Sequence, residues 1–404
     1  MKPLSRIEKL PTYVFTKVDQ LKSEYLQRGI DIIDMSMGNP DGHTPAPIVE
    51  ALIQAAKLPQ THRYVKPPKG IESFRSAVAS WYEKNYRVGL DVDSEIVATI
   101  GAKEGISHLA LAISEAHDCV LVPSPSYPIH TYAFLIAGAQ VDTFSVQSEQ
   151  KMLAEIKQKL ESNKQIKAIM LNFPANPTGH CVEIGFFEEI IALAKHYQTW
   201  IIHDFAYADL CFDGYCAPSI LQVKGAKDVA VEICSLSKSY NMPGWRVGYM
   251  AGNVNLISAL TKIKSYYDYG IFAPIQIAAV EALLHGDEYR QSICDIYQQR
   301  RDVLCAGLQN IGWPVQAPKA TMFVWAPIPE RFSHLDSLEF TKVLLDKAHM
   351  VVAPGIGFGE AGDHAVRFAL IESPQRMVEA INRLDAFIRS TRAVDFKEKR
   401  IGAG

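Results

Sequence analysis

Ser235-Leu-Ser-Lys-Ser-Tyr-Asn-Met-Pro-Gly-Trp-Arg-Val-Gly248 follows one β-rich run, Val229–Cys234, and leads into another, Val247–Ala251. Lys238 stands between two serines just beyond a strand, with Arg246 close behind it. A lysine held at the end of a strand can form a Schiff base with an aldehyde. The hydroxyls and Arg246 suit a phosphate, because arginine offers a planar fork of donors. An arbitrary lysine reads as a solvated loop residue; here the neighbours reverse that reading.

Outward from this segment, short β-rich runs alternate with helical ones. Val97–Ile100, Val120–Val122, Ile166–Leu171 and Trp200–His203 read as strands, with helical stretches between them. Such alternation implies an α/β fold with a mostly parallel sheet and crossover helices. From about Asp287 the pattern changes to a long helix, then short strands at Met322–Trp325, Val351–Ala353 and Val366–Ala369. A last helix opens with Ser373 and Pro374, good N-cap and first-turn residues, and carries the apolar stripe Met377, Ile381, Leu384, Ile388. This C-terminal third reads as a smaller α/β domain.

The 404 residues are 48% hydrophobic and 21% charged, with a formal net charge of −3. That composition excludes wholesale disorder and argues against a dedicated nucleic-acid binder. No apolar run reaches the roughly 18 residues of a membrane span, and the first residues lack the apolar stretch of a secretory signal. The seven cysteines are scattered, without metal-ligand spacing, so no metal is expected and a reduced cytoplasmic compartment is the plain reading. No GxGxxG fingerprint follows the early strands, which discounts a dinucleotide-binding dehydrogenase.

Further motifs carry chemistry. Gly101-Ala-Lys-Glu-Gly105 joins a strand to a helix; its small residues let the backbone approach a ligand, and helix-start N–H groups attract anions. Ser126-Tyr-Pro128 follows the next strand, and Tyr127 alone would read as a core tyrosine. Asn172-Phe-Pro-Ala-Asn-Pro-Thr-Gly179 contains Asn-Pro turn signals. His203-Asp-Phe-Ala-Tyr207 ends a strand, where Asp204 alone would serve as a helix cap and His203 as a packed strand residue. Val366-Arg-Phe-Ala-Leu370 places Arg367 inside an apolar strand, a costly position unless it is paired. Gly38-Asn-Pro40 and Arg63-Tyr-Val-Lys-Pro-Pro-Lys-Gly70 complete the set; the second reads by itself as a surface turn.

In this order, from about Leu10 to Leu384, these motifs resemble class I/II aminotransferases, the pyridoxal-5′-phosphate (PLP) enzymes of fold type I. The resemblance implies a large domain with a mostly parallel sheet flanked by helices, plus a smaller α/β C-terminal domain. Residues 1–46 would form an N-terminal arm and part of the small domain, 47–288 the large PLP-binding domain, and 289–404 the small domain. Lys238 matches the lysine that holds PLP. Gly101, Ala102 and Lys103 match phosphate contacts, although Lys103 stands where many relatives carry a hydroxyl. Ser235 and Arg246 match further phosphate ligands, and Tyr127 matches the aromatic stacked on the pyridine ring. Asn176 and Tyr207 match donors to the phenolic oxygen; Phe173 replaces a proline common in that loop. Asp204 matches the carboxylate that pairs with the pyridine nitrogen. Arg367 matches the clamp on the substrate α-carboxylate, and Gly38 and Asn176 match further substrate contacts. Tyr64 matches a tyrosine that reaches the phosphate of a neighbouring subunit, which implies a homodimer.

The wording of Met37–Gly42, Pro125–His130, His203–Asp209, Lys264–Gly270 and Pro354–Gly359 resembles bacterial glutamate–pyruvate (alanine) aminotransferases. The expected reaction is therefore ping-pong transfer of an amino group from alanine to 2-oxoglutarate. Relatives acting on LL-diaminopimelate, aspartate or methionine share much of this wording, and a PLP-dependent β-lyase would use the same cofactor motifs. A transcription regulator built on the same scaffold needs a basic N-terminal extension of about a hundred residues ahead of the motifs, and Gly38 comes too early for that.

Overall fold

The computed structural model describes Leu10 and residues 14–401, so residues 1–9 and 11–13 of the expected arm and residues 402–404 lie outside the described residues. The chain divides into two compact units. Among the described residues, the first is Leu10, Pro40–Asp295 and Lys319–Thr321; the second is residues 14–39, Ile296–Pro318 and the chain from Met322. The division falls within the helix Asp287–Asn310.

Strands are numbered along the chain, and β1 (Ile33–Met35) belongs to the second unit. The first unit holds β2 (Ile96–Thr99), β3 (Cys119–Ser124), β4 (Gln140–Ser145), β5 (Ile166–Asn172), β6 (Trp200–Asp204), β7 (Ala230–Ser235) and β8 (Gly248–Gly252). They form one seven-stranded sheet in the order β2-β8-β7-β6-β5-β3-β4. Pairing is parallel except around β8, which runs antiparallel to both β2 and β7. The two neighbours of β8 therefore share a direction with the rest, and the carboxyl ends of β2, β3, β5, β6 and β7 meet at one edge.

Both faces of this sheet are covered, which is why its strands read as near-continuous apolar runs. Successive side chains point to opposite faces. Leu121, Leu171 and Ile201 pack with Trp81, Phe187 and Ile190 on one face. On the other, Val120, Met170 and Ile202 pack with Ile106, Leu109 and Leu260. The β4 edge strand lacks that signature, since Phe144 is its one buried residue.

The second unit holds β1, β9 (Phe323–Pro327), β10 (Met350–Pro354) and β11 (Ala365–Ala369), paired in the order β1-β10-β11-β9. Trp313, Phe340 and Phe368 pack edge to face beside them. The last helix, Pro374–Ile401, continues past its apolar stripe.

Asn253 illustrates how a single polar residue ends one strand and starts the next helix. Its Oδ1 accepts from the amides of Asn255 (3.0 Å) and Leu256 (3.1 Å) at the start of Val254–Tyr267. Its Nδ2 donates to the carbonyls of Lys227 and Asp228, each at 2.9 Å. Asn253→Ala removes the cap and strands those buried partners, so urea denaturation should show a loss of about 2–3 kcal/mol.

Candidate active site

Lys238 lies in a single helical turn, Leu236–Ser239, directly after β7. Ser235 caps that turn by accepting from the Ser237 amide at 3.2 Å, and Lys238 is half-buried. In the sheet, Gly248 pairs with Ser235 on one side and Thr99 on the other. Arg246, two residues earlier, has a left-handed φ of 56° and donates from Nη1 to the Pro243 carbonyl at 2.9 Å.

The guanidinium of Arg246 lies against Gly101, where a Cβ would stand 2.5 Å from Nη2. Gly101 also has a φ of +72°, a conformation that suits glycine. It opens the helix Gly101–Ile113, which has no side-chain cap, so its first N–H groups are presented toward an anion. Ala102 follows in that first turn, and Lys103 carries its ammonium 5.3 Å from the centre of the Tyr127 ring. Gly101, Ala102, Lys103, Tyr127, Ser235 and Arg246 are thus gathered at the ends of β2, β3 and β7.

Asp204 ends β6 and is 6% exposed. One oxygen lies 2.9 Å from His130 Nε2 and the other accepts from the Ala206 amide at 3.1 Å. His130 is fully buried, and its Nδ1 has no hydrogen-bond partner among the described residues. The proton therefore sits on Nε2 and is donated to the carboxylate. Asn172, at the end of β5, donates to the Asp204 carbonyl at 2.9 Å and accepts from the Asn176 amide at 2.8 Å. Asn176 Nδ2 reaches the Tyr207 hydroxyl at 3.4 Å, and both residues are buried. Asn176, Asp204 and Tyr207 are therefore brought together. His130 and Asn172 were not assigned roles by the sequence: His130 is recognisable only through its contact with a carboxylate far along the chain.

Behind the Gly101 turn lies a paired charge cluster. Glu104 accepts from the Ile100 amide at 2.6 Å and from Lys264 Nζ at 3.0 Å. Lys264 also bonds Asp268 at 3.1 Å, and Asp268 accepts from the Gly270 amide at 2.7 Å. His108 Nδ1 lies 2.5 Å from Glu104 and 3.4 Å from Asp268. Hydrogen bonds to Asp268, then to Glu104, outweigh burial and push the His108 pKa up to about 9. Glu104, His108 and Asp268 could together hold a metal ion. The fully buried Lys264 ammonium and the protonated His108 together balance the two carboxylates, so the cluster reads as a structural ion network.

Arg367 belongs to the second unit, in β11, and is 4% exposed. Its guanidinium carbon lies 3.9 Å from the centre of the Phe323 ring and 4.5 Å from that of Phe358. Nη2 donates to the Ser36 carbonyl at 2.9 Å. Gly38 lies against the same Phe323 ring, which a Cβ would meet at 2.5 Å. The two aromatic rings that flank Arg367 were not singled out in the sequence. Tyr64, in the first unit, is 80% exposed and packs on Tyr269 at 5.4 Å between ring centres, away from these clusters' described contacts.

The donor set in the first unit has a definite chemical sense. An amine, a guanidinium beside a glycine cradle at a helix start, a flat tyrosine, a buried carboxylate and two donors at Asn176 and Tyr207 suit a phosphorylated aromatic aldehyde with a basic ring nitrogen. PLP has each of those groups, so the residues present fit it.

The pattern of the family described as Aminotransferase class I and II matches residues 30–384. The glutamate-pyruvate aminotransferase AlaC of Escherichia coli is 50% identical over 98% of this chain and 96% of its own length. An LL-diaminopimelate aminotransferase of Gloeobacter violaceus is 41% identical, over 96% and 98% respectively. A solved structure described as a probable N-succinyldiaminopimelate aminotransferase from Thermus thermophilus superposes with a TM-score of 0.85 at 34% identity, covering 92% of this chain and 99% of that one.

Two outcomes follow from this geometry. Because the His108 pKa is raised from 6.5 to about 9, its stabilising charge is fully present below about pH 6.5 and is lost as pH rises through 9. The Tm difference between the wild type and His108→Gln should therefore shrink between pH 7 and pH 10. Gly101→Ala strains the backbone and crowds Arg246, and should weaken PLP binding to the apoprotein by about tenfold or more in a fluorescence titration.

Proposed function

The chain belongs to the class I and II aminotransferases, and from that premise we propose that it moves an amino group between L-alanine and 2-oxoglutarate, giving pyruvate and glutamate. The observation that carries the substrate pair is the 50% identity to a glutamate-pyruvate aminotransferase over 98% of the chain. PLP is the cofactor, and when bound it supplies an aldehyde that links to amines and a ring that accepts electrons from the substrate Cα.

The chain's residues supply the rest. Lys238 would hold the cofactor covalently through its Nζ, and the same amine, once free, would take the substrate's α-proton and give it back. Asp204 would pair with the pyridine nitrogen and favour its protonated form, and His130 fixes the orientation of that carboxylate. Tyr127 would stack on the ring, while Asn176 and Tyr207 would donate to the phenolic oxygen. Gly101, Ala102, Lys103, Ser235 and Arg246 would hold the phosphate, the first two through backbone N–H groups. Arg367 would grip the α-carboxylate in a bidentate way, with Gly38 beside the same Phe323 ring, and this would orient the Cα–H bond. A second 2-oxo acid reverses the sequence and completes the ping-pong cycle.

The exposed aromatics Tyr64, Tyr266, Tyr267, Tyr269 and Phe272 support a homodimer, since such residues rarely stay uncovered. Tyr64 would then reach the phosphate held by the partner subunit. The free cysteines suit a reducing cytoplasm; among the described residues, no helix is long and apolar enough to cross a membrane. The LL-diaminopimelate reading stands second, favoured by the relatives at about 41% identity.

Borohydride reduction followed by peptide mapping should place the cofactor on Lys238, and Lys238→Ala should lose the visible band and at least about 10³-fold in kcat. In a donor and acceptor panel, alanine with 2-oxoglutarate should lead; negligible alanine turnover beside strong activity on LL-diaminopimelate overturns the assignment. Arg367→Lys loses the bidentate fork, and kcat/KM for alanine should fall by about 10- to 100-fold.

A further inference from the structure

His203 and Glu232 face each other on the adjacent parallel strands β6 and β7, and both side chains are completely buried. His203 Nδ1 lies 2.9 Å from Glu232 Oε2. The other partners of Glu232 are donors. The Tyr82 hydroxyl (2.7 Å) and the Ser219 hydroxyl (2.8 Å) reach Oε1, and the Ile220 amide reaches Oε2 at 3.1 Å. Burial pushes the Tyr82 phenol well above its ordinary 10.0, so it remains a donor. The Glu232 carboxyl thus accepts on both oxygens, and His203 Nδ1 is one of its partners.

The opposite ring nitrogen, Nε2, lies 2.9 Å from the Phe173 carbonyl, which can only accept. The Phe173 amide approaches the same nitrogen, donating to it at 3.4 Å. His203 is thus held by Glu232 on one side and by the Phe173 peptide on the other. Its walls are apolar: the Phe187 and Phe205 rings lie 5.0 and 5.1 Å from its centre. A buried polar pair of this kind adds little net stability compared with apolar packing of the same volume. Its distinctive contact is the grip on Phe173.

Phe173 lies inside the Asn172–Asn176 turn. One end of that turn is fixed by Asn172, which bonds the Asp204 carbonyl and the Asn176 amide. The His203 ring fixes the Phe173 peptide between them. We infer that His203, held in place by Glu232, is a positioning residue that holds the Asn172–Asn176 turn and thereby aims the Asn176 side-chain amide at the cofactor's phenolic oxygen. This rests on the role proposed above for Asn176. The sequence marks His203 only as a packed strand residue, because its two partners come from other strands.

The test compares wild type, His203→Gln, His203→Phe and Asn176→Ala as holoenzymes, with apoprotein controls. The absorbance of the Lys238-bound cofactor is titrated with pH, PLP affinity is measured on the apoprotein, and Tm is recorded for each. Asn176→Ala should move the titration midpoint. His203→Phe should move it in the same direction, with kcat down by about tenfold and KM for alanine changed by less than about twofold. His203→Gln, which keeps one amide donor, should recover part of the shift; it also serves if the phenylalanine variant does not fold. A lowered Tm with an unmoved midpoint and unchanged PLP affinity in both His203 variants overturns the inference. An unmoved midpoint in Asn176→Ala overturns instead the role of Asn176, and the inference falls with it.

Discussion

Between Thr99 on β2 and Ser235 on β7, the backbone of Gly248 comes so close to its neighbours that a Cβ would stand 2.5 Å from the Cys234 carbonyl. This contact lets β8 slot antiparallel between two strands that run the other way. It brings the Gly101 turn, the Ser235 cap and Arg246 to one place, although they are far apart along the chain. The remaining cofactor-facing residues then follow from parallel pairing, because Asn172, Asp204 and Ser235 close neighbouring strands at the same edge. Ligands in open α/β sheets collect at such carboxyl ends for the same reason.

Much of this was legible in the residues. Buried parallel strands need apolar side chains on both faces, so β3, β5, β6 and β7 stand out as runs. Two strands left no such mark: β1 has three residues, and β4 is an edge strand with exposed positions. The direction of β8 was not legible either, because orientation comes from pairing and not from composition. Among candidate site residues, those carried by local motifs could be named from the sequence, Lys238 and Arg246 above all. His130, Phe323 and the Glu104–Lys264 pair were missed, because each acts through a partner distant in sequence and no spacing rule exposes it.

The consecutive residues His203 and Asp204 show how one strand serves two tasks. Adjacent strand positions point to opposite faces. Asp204 turns to His130, whereas His203 turns to Glu232 among aromatic rings. Each histidine has different surroundings: one meets a single carboxylate, the other a carboxyl group and a peptide. Which partners a ring nitrogen meets is something that only the folded chain defines.

Arg367 has aromatic neighbours at its charged end, its guanidinium carbon lying 3.9 Å from the centre of the Phe323 ring and 4.5 Å from that of Phe358. Electron-rich ring faces attract a cation, which offsets part of what burying that charge costs. Exchanging either phenylalanine for an aliphatic residue of similar bulk would fill the same space yet leave the positive charge less well accommodated.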